Sequence, residues 1–363
     1  MSVTAGNPMA PHLAGKKVLL TGGTGFVGRH LLPQLLAAGA EVTCLTRAVS
    51  RTGHLPQGVA TAQADLTTGA GLEQALHGKD VVIHMAALLF GLGWQDYLRA
   101  NVLAARSMSS ALARQSAQGG LSDSFRFVLV SSLAATGPSG TAPGVNDATP
   151  AAPVSAYGWS KMLTEQVLGR ALGQSLVTLR PPIIYGSGDK GLLPVFKGVQ
   201  MAATAVSPGA GREFYVSAVH ATDMAQAVLC ACRPEARGAY HLSDGETYTM
   251  SDFCRGMGAA MDNVLKRAPR KVRIIRMPLP VMACTAGLST SLAVVADAVV
   301  NRLVGHGLRR APSWNLDKYR EARQAGWLCD NSRICAELGF VPRVNLEAGM
   351  TEAIEGYRRE GWL

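Results

Sequence analysis

Thr21-Gly22-Gly23-Thr24-Gly25-Phe26-Val27-Gly28 decides the fold. It follows an apolar run, Val18 to Leu20, and opens a helical stretch lasting to Ala38, after which Glu41 to Thr46 gives a second apolar run. Strand, glycine turn, helix and strand in that order make a βαβ unit. The string satisfies G-x-x-G-x-x-G through Gly22, Gly25 and Gly28, and G-x-G-x-x-G through Gly23, Gly25 and Gly28. Glycine serves here because the backbone must turn tightly, approach a pyrophosphate with no Cβ in the way, and let the helix pack close to the strand. A chain with 40 glycines makes such strings by accident; its place between a strand and a helix gives this one meaning. It predicts a dinucleotide site built from Gly22, Gly25, Phe26, Val27 and Gly28, with the amides of the helix start facing the phosphates.

Outward from the turn the alternation continues. Apolar runs at 59–64, 81–84, 125–131, 175–179 and 239–242 are separated mostly by helical stretches. Strands alternating with helices imply an α/β protein, a Rossmann-type doubly wound parallel sheet covered on both faces. The Pro-, Gly-, Ala- and Thr-rich segment 138–153 reads as a loop over the strand ends, where ligands of such sheets bind. After Tyr185 the rhythm breaks, which predicts a smaller, mostly helical C-terminal substrate lobe. The expected division is a flexible tail at 1–14, a dinucleotide-binding Rossmann domain at 15–185 plus 222–245, and a substrate-binding lobe at 186–221 plus 246–363.

At 363 residues, with 48% hydrophobic and 17% charged residues, the chain can bury a large core and is neither disordered nor collagen-like. Its net charge of +10 favours anionic partners. Nucleic acid has only that charge behind it, with no aromatic interleaving, and is not expected. Seven cysteines with no C-x-x-C argue against a disulfide framework and against zinc, and no metal site is expected. The composition reads as cytoplasmic, and the N-terminus has no basic segment followed by an apolar core. Met277 to Ala296 carries no charge. Two readings stay open for it: a helix that packs on or lids the small lobe, or peripheral membrane contact through 266–300 aided by the basic stretch Lys266 to Arg276.

The end of the second strand reads the dinucleotide. An NAD site shows Asp or Glu there for the ribose 2′-hydroxyl; this strand ends Leu45-Thr46-Arg47, with Arg51 close behind and no acid in reach. A guanidinium binds a 2′-phosphate in forked geometry, so Arg47 predicts NADP(H), NAD being the alternative. Asp65, after the third strand, either accepts from the adenine amino group or caps the next turn. Tyr157-x-x-x-Lys161 puts a phenol and an ammonium on one helix face. The cation is expected to lower the tyrosine pKa towards working pH. Ser132, with Ser131 as its neighbour, ends a strand on the same sheet edge, where it can hold a carbonyl or hydroxyl oxygen.

Taken together, T-G-G-x-G-x-x-G, Ser132, Tyr157-x-x-x-Lys161 and Arg180-Pro181-Pro182-Ile183-Ile184-Tyr185-Gly186 resemble the extended short-chain dehydrogenase/reductase family, the NAD-dependent epimerases and dehydratases. Asp65-Leu66, His84-Met85-Ala86-Ala87, Asn101-Val102 and Asp223-Met224-Ala225 agree with it, over nearly the whole chain from about Gly15. The resemblance implies Tyr157 as general acid/base, Lys161 on the nicotinamide ribose, Ser132 on the reacting oxygen and Asn101 as a supporting residue. It implies further cofactor contacts from Asp65, Leu66, Ala86, Ala87, Pro182 and Ile184. Dehydratases of the family carry acidic residues where Leu133 and Ala134 stand. Epimerases carry a diphosphate-binding Arg where Val216 stands, although Arg212 is near. The segment 130–139 and the apolar run after residue 276 resemble the 3β-hydroxysteroid dehydrogenase and dihydroflavonol reductase branch. The expected activity is therefore NADP(H)-dependent interconversion of a ketone and a secondary alcohol on a bulky, largely apolar small-molecule substrate, steroid-, flavanonol- or β-keto-acid-like. The alternatives are a nucleotide-sugar epimerase with tightly bound NAD and a non-catalytic dinucleotide-binding module. The family implies a homodimer.

Overall fold

A computed structural model describes residues 10–50, 52–122, 124–304 and 311–363. Its centre is a seven-stranded parallel sheet: β1 (Lys17–Thr21), β2 (Glu41–Thr46), β3 (Ala60–Gln63), β4 (Val81–His84), β5 (Arg126–Val130), β6 (Leu176–Arg180) and an edge strand, Gly238–His241. The order across the sheet is edge strand, β6, β5, β4, β1, β2, β3. The chain steps from β1 outward through β2 to β3, then crosses back to β4 and runs the other way. That reversal opens a crevice beyond the carboxyl ends of β1 and β4, where Thr21 is in register with His84. All seven expected strand runs lie in this one sheet.

The uninterrupted apolar runs follow from burial on both faces. In β1, Val18 and Leu20 point into one core layer with helices Phe26–Ala37 and Ala221–Ala231, while Leu19 points into the other with helix Ala104–Ala117 and Leu168. A third cluster belongs to the lobe, where Phe253, Met257 and Met261 meet Met350, Ile354 and Tyr357 from helix Leu346–Arg359. The lobe is mostly helical but also holds short strands, among them Thr204–Pro208 paired with Arg273–Met277.

Three expected segments behave differently from their sequence reading. Of the tail at 1–14, residues 1–9 lie outside the described residues, whereas Pro11–Leu13 form a 3-10 turn with Leu13 fully buried and His12 Nε2 3.0 Å from the Leu229 carbonyl. Ile334, Leu338 and Phe340, expected in the lobe, pack into the same core layer as β1. Of the uncharged run at 277–296, residues 279–296 lie in a 26-residue helix, Leu279–Val304. Met282 and Ala286 are buried, and Thr285, Ser289 and Thr290 bond the segment 314–316.

Candidate active site

The glycine turn is built as an anion cradle. Gly22 has a φ of 78°, and a Cβ there would stand 2.9 Å from the Ala86 amide nitrogen, so the turn presses against the loop after β4. A Cβ on Gly28 would overlap the Gly23 carbonyl, so only glycine lets the helix close on the turn. Helix Phe26–Ala37 starts at Gly25 with no side-chain cap and no acidic residue in its first turn. By contrast, helix Ala156–Leu172 starts with the Ser155 hydroxyl accepting from the Gly158 amide. Uncapped amides at the positive end of the helix dipole suit a diphosphate, and the residues present fit a bound dinucleotide.

Thr21 ties this turn to the next strand. Its hydroxyl accepts from the Met85 and Ala86 amides at 3.2 and 3.1 Å and lies 2.8 Å from His84 Nδ1. Burial, helped by the Lys161 charge, pushes His84 down to about 3, so its imidazole is neutral and Nδ1 accepts the Thr21 proton. Neither Thr21 nor His84 was singled out from sequence for this role. The signal was present in Thr21, a hydroxyl ending an otherwise apolar strand. Arg47 is exposed at the end of β2; Arg51 lies outside the described residues. Asp65 Oδ1 accepts from the Thr67 and Thr68 amides at 2.7 and 3.1 Å, capping the turn after β3 beside half-buried Leu66. Ala86, Ala87, Pro182 and Ile184 are half-buried at the same edge of the sheet.

The residues expected to transfer the proton meet at the end of β5. The Ser132 hydroxyl lies beside the Tyr157 phenol, where it favours the phenolate, and accepts from the Ala134 amide at 3.2 Å. Ser131 is buried with its hydroxyl unpartnered among the described residues, which leaves Ser132 as the serine facing Tyr157. Lys161 is buried and its Nζ donates to the Val130 carbonyl at 2.8 Å. Asn101 sits in a π-helical turn, Leu98–Leu103. Its amide donates to Ser160 Oγ at 2.9 Å and accepts from the Leu88 amide at 2.8 Å, while Ser160 donates to the Tyr157 carbonyl at 2.7 Å. Asn101 thus pins the loop after β4 to the helix that carries Tyr157, as a positioning residue.

The expected lowering of the tyrosine pKa is corrected. Tyr157 is pushed up to about 12, because burial disfavours the phenolate more than the Ser132 hydrogen bond favours it, and Glu321 adds to the rise. Lys161 is itself brought down to about 8 by burial, against the pull of Glu165.

Helix Leu316–Ala322 was not anticipated from sequence. Asp317 takes the Ala156 and Tyr157 amides at 2.6 and 3.2 Å, and Ser155 donates to Glu321 at 2.7 Å. Lys318 Nζ lies 4.8 Å from the Tyr157 ring centroid and 2.9 Å from Glu321 Oε2. These contacts span about 160 residues of chain, and no local pattern announces them. Among the described residues, no group of three or more His, Cys, Asp or Glu could hold a metal ion.

Residues 18–243 match the model of the NAD dependent epimerase/dehydratase family. The chain is 32% identical over 354 residues to the ceramide reductase of Caulobacter vibrioides, covering 95% of this chain and 96% of that one. It is 28% identical over 252 residues to the decarboxylating sterol-4-alpha-carboxylate 3-dehydrogenase of Dictyostelium discoideum, covering 66% and 74%. The fold is shared with the Bordetella bronchiseptica enzyme WbmH in complex with NAD+, at a TM-score of 0.70 and 20% identity over 95% of this chain and 99% of that one. The chain belongs to the NAD dependent epimerase/dehydratase family, the extended short-chain dehydrogenases/reductases, and is a nicotinamide-dinucleotide-dependent oxidoreductase.

Proposed function

We propose that the protein is an NADPH-dependent reductase of a ketone on a long, largely apolar lipid. One observation carries this reading: the Tyr157 phenol beside Ser132 and buried Lys161, at the sheet edge that bears the glycine cradle. The bound cofactor supplies the hydride. Ser132 donates a hydrogen bond to the substrate carbonyl oxygen, and Tyr157 Oη delivers the proton to that oxygen as the alcohol forms. Lys161 engages the ribose of the cofactor and balances the charge left on Tyr157.

Gly22, Gly25, Phe26, Val27 and Gly28 hold the diphosphate, Asp65 and Leu66 flank the adenine, and Ala86, Ala87, Pro182 and Ile184 line the rest of the cofactor site. Exposed Arg47 takes the 2′-phosphate, with no acid beside it in sequence to repel that group. The lipid class is supported by the names of the two curated relatives. A nucleotide-sugar epimerase is less well supported: Val216 is fully buried, and Arg212 donates to the Arg323 carbonyl at 2.7 Å. The homodimer belongs to the same proposal.

The test incubates purified protein with NADPH or NADH and a panel of ketones, long-chain 3-ketolipids and steroids beside nucleotide sugars, following absorbance of the reduced nicotinamide. Oxidation of NADPH by apolar ketones alone is expected. Epimerised sugar without net cofactor turnover would overturn the proposal. Arg47→Ala is expected to raise the KM for NADPH about tenfold or more and leave that for NADH unchanged, the scale of one charged hydrogen-bonding pair.

A further inference from the structure

Helix Leu279–Val304 leaves its apolar side chains in solvent. Val281, Leu288, Leu292, Val295, Val299 and Leu303 are 46 to 78% exposed. Their spacing of seven, four, three, four and four residues sets them on one ridge of the helix. Such a contiguous apolar surface marks an interface.

The chain leading into this helix carries six basic and no acidic residues between Lys266 and Arg276. Arg270 pairs with Asp262 and Arg276 with Glu213; Lys266, Arg267, Lys271 and Arg273 are exposed. Arg255, Lys271, Arg273 and Arg276 line a shallow pocket with Ser251, which is 2% exposed and whose hydroxyl has no partner among the described residues. Arg255 is also paired with Asp252 at 3.0 Å. Cations around an unsatisfied hydroxyl form a site for a phosphate group.

We propose that the protein docks on an anionic phospholipid leaflet, with the Val281–Leu303 ridge at the boundary of headgroups and acyl chains and the 266–276 cations on the headgroup phosphates. A second copy of the chain fits less well. A two-fold contact would set each patch against itself and crowd the two cationic strips together.

The helix lies on the leaflet and does not cross it. Trp314 Nε1 donates to Thr285 Oγ1 at 3.1 Å, Ser289 donates to the Trp314 carbonyl at 2.8 Å, and the Leu316 amide donates to Thr290 at 2.9 Å. The described segment 311–315 is non-helical and stands against residues 285–290 of the helix. A crossing would put that segment in hydrocarbon and leave its backbone polar groups unsatisfied.

Docking bears on the site as well. Trp314 and Leu316 bind residues 285–290 of the helix, and Asp317 and Lys318, next in sequence, bind the Tyr157 segment. A lipid leaving the leaflet along this helix arrives beside Tyr157. This last step rests on the lipid-reductase reading, whereas the docking stands without it.

The test is co-sedimentation of the full chain with vesicles of phosphatidylcholine alone and with phosphatidylglycerol added. Binding to the anionic vesicles at least tenfold tighter than to the neutral ones is expected. Leu292→Glu with Val295→Glu should abolish binding, and Lys271→Glu with Arg273→Glu should remove the anionic preference. Leu288→Gln replaces the first pair should that pair fail to fold. No binding, equal binding to both vesicles, or a dimer that Leu292→Glu with Val295→Glu dissociates would each overturn the proposal. Vesicle binding without turnover of any lipid ketone supports docking and sinks the reductase reading; turnover of detergent-dispersed ketone without vesicle binding does the reverse.

Discussion

Two long helices of this protein bury opposite kinds of residue. Ala156–Leu172 hides Gly158, Ser160, Lys161 and Thr164, a lysine and two hydroxyls among them. Leu279–Val304 is richer in Val and Leu, yet only 11% of its most apolar window is buried. The first is enclosed by the sheet, by the π-turn that holds Asn101 and by helix Leu316–Ala322; in the second, Met282 and Ala286 are buried while Leu288, Leu292, Val295 and Leu303 stand in solvent. Burial thus follows the neighbours a helix finds, and hydropathy alone does not choose them. Lys161 and Ser160 survive in the first helix because each has a partner, the Val130 carbonyl for Lys161 and Asn101 and the Tyr157 carbonyl for Ser160, whereas the buried Thr164 hydroxyl has none among the described residues.

That contrast can be broken at its strongest point by Tyr157→Phe. Removing the phenolic oxygen is expected to lower kcat by about a thousandfold, within the range of general acid catalysis, while cofactor affinity by fluorescence titration stays within about twofold. An unchanged kcat would strip the buried helix of its chemical role.

The next effect comes from the charge on Lys161. Its folded-state pKa lies near 8, below the ordinary 10.5, so between those values the unfolded chain binds more protons and stability rises with pH. The span corresponds to about 3 kcal/mol for a group this buried. Tyr157, raised from 10 to about 12, acts in the opposite sense above pH 10. Urea unfolding at pH 7, 8, 9 and 10 should show wild type gaining on Lys161→Met up to pH 10; parallel curves would mean that the ammonium is not desolvated.

A smaller change is expected from Asn101→Ala, which leaves Ser160 and the Leu88 amide without their partner. A loss of about 2 kcal/mol, read by urea unfolding, fits a buried hydrogen-bonded side chain. The KM for the cofactor should rise with it, since the loop after β4 loses its anchor. Least of all, Leu292→Ser on the exposed helix should shift stability by no more than about 0.5 kcal/mol. A loss of 2 kcal/mol or more there would mean that the ridge is covered by protein, and the contrast between the two helices would fail.

Much of the site was legible because it is local. A glycine turn is recognised from eight consecutive residues, and an i, i+4 pair shares a helix face whatever surrounds it. The sheet was legible because β1, β4, β5 and β6 are apolar on both faces, as parallel strands between two helical layers must be. The protonation state of Tyr157 was not legible. Spacing put a cation one turn away and suggested a lowered pKa, but the tyrosine is governed by its loss of water and by Glu321, a residue 164 positions along the chain.

Sequence by itself therefore determined the βαβ start, the parallel sheet, the glycine turn and the placing of Tyr157 and Lys161 on one helix face, since each follows from backbone sterics or helical period over a few residues. Only the tertiary structure decided the Thr21 and His84 tie, the capping of the Tyr157 helix by Asp317, the seat of Lys318 over the phenol ring and the exposure of the 279–304 ridge. These depend on which distant segments meet, and on the water they exclude when they do.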